Sequence, residues 1–220
     1  MSNYSAQNPL SVVVLISGSG TNLQAMIDQI HSTDIPARIV AVISNRADAY
    51  GLKRAEQASI PAEILSHRDF ATREDYDHAL QQLIDRYQPG LIVLAGFMRI
   101  LSDDFVRHYQ GRMINIHPSL LPRYKGLNTH QRVLDAGDDL HGCSVHYVTP
   151  ELDGGPVILQ AAVPIEDDDT PESLAQRVHI QEHRIYPQVV EWIAQGRLHM
   201  EDDIVYFDDK PQQRPLQLNN

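Results

Sequence analysis

Residues 11–22 read SVVVLISGSGTN, an aliphatic and largely β-branched run that breaks at Ser17 into Gly18-Ser19-Gly20 and then Thr21-Asn22. A short run with no polar alternation suits a strand covered on both faces, as in a parallel sheet. The glycines after it suit a tight turn into a helix, and Asn22–His31 reads as that helix. Working outward, the alternation recurs. Ile39–Ser44 is a second apolar run, Ala49–Ala58 is helical in composition, and Glu63–Leu65 sits in a short third strand. Within Arg73–Tyr87, Tyr76, Leu80, Leu83 and Tyr87 recur at helical spacing; Pro89 ends that helix and Leu91–Ala95 makes a fourth strand. This βαβαβαβ rhythm predicts an α/β chain, a Rossmann-like, doubly wound, mostly parallel sheet with flanking helices and right-handed crossovers.

The second half is less regular. Asp103–Tyr109 suits a short helix and Met113–His117 a strand stopped by Pro118, while Ser119–Asn128 is a loop rich in Pro, Gly, Lys and Arg. Ser144–Val148 and Val157–Val163 suit two strands joined through an Asp-Gly-Gly turn. Asp169-Thr170-Pro171 opens a long amphipathic helix to Gln195, which Pro187 is expected to kink or divide. No repeat or linker is visible, so the expectation is a single domain over 11–210, with 1–10 frayed and 211–220 a polar tail.

Composition narrows the function. The 220 residues suffice for one sizeable domain but not for two plus a linker. With 18 Lys+Arg against 29 Asp+Glu, a net of −11, the chain lacks the basic balance of a general nucleic-acid binder and would be repelled by anionic membranes. No apolar run approaches the roughly 20 residues that span a bilayer. Residues 1–10 lack the pattern of a secretory signal, so a cytoplasmic location is expected. The single cysteine, Cys143, can form no intramolecular disulfide or Cys-based zinc site, and its apolar setting suits packing.

Four motifs bear on chemistry. Gly18–Asn22 stands between a strand and a helix, where backbone amides and the helix N-terminus favour an anion such as phosphate. A dinucleotide fingerprint would need a third glycine where Leu23 stands, and an acid where the second strand ends in Ser44-Asn45-Arg46. A P-loop would need Gly-Lys-Ser/Thr. A monophosphate ester therefore remains, although a ligand-free tight turn would carry a similar sequence. In Asn115-Ile116-His117-Pro118, strand alternation points Asn115 and His117 to one face. Near a strand's carboxyl end, such a pair could stabilise an oxyanion and move a proton; on an edge strand both would simply meet water. Asp153-Gly154-Gly155 is by itself a turn, yet an Asp near His117 could orient the imidazole and favour its protonated form. His179-Ile-Gln-Glu182-His183 matches a reversed zinc-peptidase motif, which would need a third ligand further along, where Glu191 follows on the same helix and Glu201 stands near the end.

Taken together, the Gly20-Thr21-Asn22 loop, Ala95-Gly-Phe-Met-Arg-Ile-Leu101, Asn115-Ile-His-Pro-Ser-Leu-Leu-Pro122 and His141-Gly-Cys-Ser-Val-His-Tyr-Val148 with Leu152-Asp-Gly-Gly-Pro156 resemble the phosphoribosylglycinamide formyltransferases. The resemblance runs from about Val12 to Arg197, with the motifs in the expected order. It implies direct passage of the formyl group of 10-formyltetrahydrofolate, a cosubstrate, to the amine of glycinamide ribonucleotide. By matching positions it implies Asn115, His117 and Asp153 as catalytic residues. Gly20, Thr21, Asn22 and Glu182 would hold the ribonucleotide. Arg73, Met98, Arg99, Ile100, Leu101, Asn115, and Thr149, Pro150, Glu151, Leu152 and Asp153 would line the folate site. No metal is implied, and the zinc-like motif becomes part of the ribonucleotide site. The partners implied are the two small molecules, without nucleic acid or membrane, in a monomer or homodimer.

This sequence departs from the family at Pro150, where an acid is expected, and at Cys143, where Thr is more usual; Thr21 for Ser keeps the hydroxyl. Rival readings are a formyltetrahydrofolate hydrolase, which usually carries an N-terminal regulatory domain, and a tRNA formyltransferase, which needs a further basic domain. A non-catalytic nucleotide- or folate-binding module and a zinc peptidase complete the alternatives.

Overall fold

The computed structural model describes residues 4–218, the side chains of residues 31 and 32 excepted. The first half follows the expected alternation: β1 (Leu10–Ile16), α1 (Thr21–Ser32), β2 (Ala37–Ser44), α2 (Tyr50–Gln57), β3 (Ala62–Ile64), α3 (Arg73–Asp85) and β4 (Leu91–Leu94). Then come α4 (Asp103–His108), β5 (Met113–His117), α5 (Thr129–Ala136), β6 (Leu140–Tyr147), β7 (Val157–Pro164) and α6 (Pro171–Ala194). Four short strands finish the chain: β8 (Leu198–Glu201), β9 (Ile204–Phe207), β10 (Lys210–Pro211) and β11 (Leu216–Gln217). No helix of the described residues is long and apolar enough to cross a membrane.

The main sheet has the order β11-β7-β6-β5-β4-β1-β2-β3. β1 to β5 run parallel; β6 is antiparallel to β5, and β7, antiparallel to β6, resumes the direction of the first five. Both faces are covered, which explains the unbroken apolar character of β1. Val12, Val14 and Ile16 pack on the α1 and α6 side, while Val13 and Leu15 pack with Tyr76 and Leu80 of α3 on the other. The chain leaves β1 toward β2 on one side and later returns to β4 on the other. The crevice at the carboxyl ends of β1 and β4 is therefore the switch point where ligands lodge in open α/β sheets.

Several expectations need correction. Pro187 does not divide α6, which runs as one 24-residue helix. The proline deletes one backbone donor, but Ile185, Tyr186, Val189 and Val190 around it are fully buried, and that packing holds the helix together. Tyr186 also reaches into the sheet, its hydroxyl 2.9 Å from the Leu94 carbonyl and 3.1 Å from that of Ile114. The expected start of this helix is as read: Thr170 caps it in a reciprocal capping box with Ser173, and Pro171 is in its first turn. Leu10, read as the last residue of a frayed N-terminus, is instead fully buried in β1; residues 1–3 lie outside the described residues. Part of the expected polar tail joins the fold. Leu216 and Gln217 pair in parallel with Leu159 and Gln160 and add an outer strand to the sheet.

His141, buried on β6, meets His130 of α5 ring to ring, Nε2 to Nδ1 at 3.0 Å. Burial, and then the facing His130, pushes the His141 imidazole from 6.5 down to about 4. Between those values the unfolded chain takes up a proton that the folded chain does not, so stability falls as the pH falls through this window. Thermal unfolding from pH 7 to 4 is expected to show a steeper decline for the native chain than for His141→Gln. The gap should be roughly 8 °C by pH 4, because a shift of this size is worth about 3 kcal/mol there.

Candidate functional site at the sheet's carboxyl edge

β5 lies between β4 and β6, so Asn115 and His117 are not on an edge strand. His117 Nε2 is 2.9 Å from the Tyr124 carbonyl, and Nδ1 is 3.5 Å from Asp153 Oδ2. A carbonyl only accepts, so Nε2 carries a hydrogen; the other nitrogen faces a carboxylate, which also only accepts. The ring is thus held between an acceptor at each nitrogen. The side chains of His117 and Asp153 are 7% and 8% exposed, so little water competes for these contacts.

Asp153 is held in the left-handed backbone region, φ 47°, which Asp tolerates better than most residues. Its Oδ2 also accepts from the Gly126 amide at 2.8 Å, and nearby Lys125 pairs with Glu151 at 2.7 Å. These contacts tie the Ser119–Asn128 loop to the loop carrying Asp153. Gly155 is required here by close approach, because a Cβ would lie 1.9 Å from the Tyr147 carbonyl. Burial holds His146 below the usual histidine range, and its Nδ1 is 2.8 Å from the Tyr147 carbonyl. Nε2 is thus a free lone pair, 3.2 Å from Asn115 Nδ2, and it orients that amide. His146 escaped the sequence reading. Its signal was register, since it stands directly across from Asn115 in the antiparallel pair.

On the other side of the crevice, Gly20 caps α1 with φ 69°, and a Cβ there would meet Gly51 Cα at 2.6 Å. No side chain caps this helix and no acid sits in its first turn, so its leading amides are available to an anion. Asn22 Nδ2 donates to Glu182 Oε2 at 2.8 Å, which brings two of the expected ribonucleotide residues together over 160 positions of sequence. Asn22 Oδ1 and His183 Nε2 are buried there without a protein partner. Arg54, also missed from sequence, donates to the Ser19 carbonyl at 2.8 Å and to Gln24 Oε1 at 3.1 Å, placing a cation against the glycine loop. A cleft of about 400 Å³ is lined by Thr21, Gln24, Arg54 and His183. The His-x-x-Glu-His motif finds no metal geometry: no group of three potential ligands is assembled among the described residues.

The 95–101 segment leaves the sheet beside Asn115, whose register partner is Leu94. Ser17 Oγ fixes its start by accepting from the Met98 amide at 2.8 Å, while donating to Asn45 Oδ1 at 2.6 Å. Asn45 thus stands, with another role, where a dinucleotide site would place its acid. Met98, Ile100 and Leu152 are 70%, 63% and 55% exposed, an apolar surface offered by both segments that the resemblance gives to folate. The Arg99 guanidinium lies over the Tyr76 ring, 5.6 Å from its centroid. Arg73 is not drawn into the His117 cluster. It opens α3, exposed and paired with Glu74 at 3.2 Å, one helical turn before Tyr76.

A formyl transferase family model matches residues 10–190. The chain is 54% identical over 199 residues to the phosphoribosylglycinamide formyltransferase of Escherichia coli (strain K12), covering 90% of this chain and 94% of that one. It is 43% identical over 189 residues to a trifunctional purine biosynthetic protein adenosine-3 of Homo sapiens, 86% of this chain matching 19% of that one. The solved phosphoribosylglycinamide formyltransferase of Coxiella burnetii, in complex with CHES, superposes with a TM-score of 0.90 at 58% identity, covering 94% of this chain and 99% of that one. Matched by the family model over most of its length and more than half identical to a relative of the same extent, this chain belongs to the formyl transferase family.

Proposed function

We propose that this chain transfers the formyl group of 10-formyltetrahydrofolate to the amine of glycinamide ribonucleotide, with Asn115, His117 and Asp153 as its catalytic residues. The observation that carries the reading is the His117 ring, held between the Tyr124 carbonyl and the Asp153 carboxylate beside Asn115. The amine nitrogen attacks the formyl carbon, a carbon–nitrogen bond forms, and the carbonyl electron pair moves onto oxygen. Asn115 has an amide hydrogen that His146 does not use, and His117 has the Nδ1 hydrogen that only loosely engages Asp153. Both can donate to the oxyanion, and in a water-poor site one such donor contributes about 3 kcal/mol. When the intermediate collapses, the bond to the folate nitrogen breaks and that nitrogen keeps the electron pair. His117 supplies a proton to it, and the proton that the attacking amine gives up returns to His117.

The phosphate of the ribonucleotide would meet the Gly20–Asn22 amides, with Arg54 as the adjacent cation. Met98, Ile100, Leu101 and Leu152 would cover the folate ring, Arg99 would face it from beside Tyr76, and Thr149, Pro150 and Glu151 would close the turn; Arg73 would stand at the rim. The chain would work as a single domain in the cytoplasm, without nucleic acid or membrane, as a monomer or homodimer. A spectrophotometric assay with 10-formyltetrahydrofolate and each acceptor in turn tests the reading. Turnover with glycinamide ribonucleotide is expected; turnover with water or formylatable tRNA alone would overturn it.

Glu182 gives a separate test of the ribonucleotide side. Burial holds its carboxyl above the usual range, against the Asn22 hydrogen bond that lowers it. A group raised in this way lowers stability as the pH rises through its folded value, because the unfolded chain ionises more readily. Glu182→Gln is therefore expected to raise the melting temperature at pH 7–8. The same change should weaken ribonucleotide binding about tenfold, by removing a charged partner for the substrate amine. Calorimetric titration together with thermal unfolding checks both signs.

A further inference from the structure

Gln160 stands on β7, two strands from His117, and the chemistry above makes no use of it. Its side chain is nevertheless buried and fully committed. Nε2 donates to the Leu121 carbonyl and to Ser144 Oγ, both at 2.9 Å, and Oε1 accepts from Gln217 Nε2 at 3.3 Å. Ser144 Oγ donates to the Ser119 carbonyl at 2.6 Å and accepts from the Leu121 amide at 3.1 Å. With one donor and two acceptors engaged, that hydroxyl is saturated as well.

Ser119 and Leu121 belong to the turn by which the chain leaves His117. Within it, Ser119 Oγ donates to the Arg123 carbonyl at 2.6 Å, and the following residue, Tyr124, supplies the carbonyl that receives His117 Nε2–H. A buried amide has a desolvation cost unless its groups are all paired, and an aliphatic side chain would fill the same space without that demand. Here the pairing is directed at the backbone of one turn, so it fixes where that turn lies. The outer strand adds a second control. Gln217 donates to Oε1 and the Leu121 carbonyl can only accept, so the side-chain amide keeps its Nε2 toward Leu121; the Leu218 amide, donating to the Gln160 backbone carbonyl at 2.9 Å, holds the outer strand beside it.

We propose that Gln160 is a positioning residue for formyl transfer: it clamps the Ser119–Tyr124 turn and thereby the plane and Nε2–H of His117, and the C-terminal strand locks it in place. The inference rests on the formyl-transfer reading. Its test compares the full chain with Gln160→Leu and Gln217→Leu, measuring kcat, KM for both substrates, and the His117 Nε2–H resonance in protein labelled with ¹⁵N-histidine. A displacement of about 1 Å at a reacting group can cost 10²-fold in rate, so Gln160→Leu should lower kcat about 10- to 100-fold. The KM for ribonucleotide should stay within about twofold, and the resonance should broaden or exchange away; no such change is expected from a loss of packing remote from the turn. Gln217→Leu should move both readouts the same way, kcat by about threefold, which is less because the Nε2 bonds survive.

An unchanged kcat in folded Gln160→Leu, or a loss of kcat with the His117 resonance intact, would overturn the proposal. If Gln160→Leu fails to fold, unchanged kcat and resonance in Gln217→Leu would do so. A native chain that turns over no glycinamide ribonucleotide would instead refute the formyl-transfer reading, and the His117 resonance would then still decide the clamp.

Discussion

His117→Asn is expected to lower kcat by about 10²–10⁴-fold, the range for a positioned acid–base group, while glycinamide ribonucleotide binds with nearly its native affinity. The substitution shortens the side chain, so the contact with Tyr124 is lost and no titratable group remains to protonate the departing folate nitrogen. An amide can still donate one hydrogen bond, so part of the oxyanion stabilisation can survive. The ribonucleotide side stands on other elements, the α1 N-terminus and Glu182 of α6, which feels His117 only through its charge, a smaller influence than its own burial and its bond to Asn22. Steady-state kinetics together with calorimetric titration of the ribonucleotide separates the two effects. A near-native rate would remove His117 from the mechanism, and a parallel collapse of ribonucleotide affinity would show that the substitution had deranged the crevice as a whole.

The parts of this site that were legible in sequence share a physical reason. The Gly18–Asn22 turn and the Asn115–His117 pair announce themselves because local geometry makes unusual demands: a left-handed Gly20 packed on Gly51, and two polar side chains alternating with isoleucines in a buried strand. The apolar runs of β1, β2 and β4 were legible because both faces of the sheet are covered there, which leaves little freedom in composition. What escaped was set by pairing across distance. His146 acquires its role only opposite Asn115, and Arg54 only where α2 meets the β1–α1 turn. α5 has eight residues and no acid in its first turn, so its pattern is weak; what ends it is Gly137, in the left-handed region at its C-cap. The small β8–β9–β10 sheet was missed because its turns use Asp202-Asp203 and Asp208-Asp209 at positive φ in place of the glycines that usually mark such turns.

The net charge of −11 sits oddly with two anionic ligands. The structure resolves part of this by placing Arg54 and the uncapped α1 amides together, and by pairing many other bases with acids, as in Arg123–Asp138 and Arg197–Asp208. Attraction at the crevice is then local, and within a screening length of about 8 Å at physiological salt it outweighs the repulsive average.

Asp153→Asn is expected to lower kcat about 10²-fold, and it isolates charge from shape. Asparagine is nearly the size of aspartate and, like it, tolerates the left-handed backbone found here at φ 47°, so the turn need not move. Its amide oxygen can still accept from the Gly126 amide, which keeps the two loops tied. What it cannot do is present a full negative charge to His117 Nδ1, and the imidazolium then loses the partner that stabilises it as charge develops on the formyl oxygen. Asp153→Ala removes both the charge and the tether. If electrostatic support of His117 is the main role, the two variants will have similar kcat, and only Asp153→Ala will raise the KM for 10-formyltetrahydrofolate. If Asp153→Asn instead runs near the native rate while Asp153→Ala is inactive, the carboxylate serves as a latch between loops, and the stabilisation of His117 must come from the Tyr124 carbonyl alone.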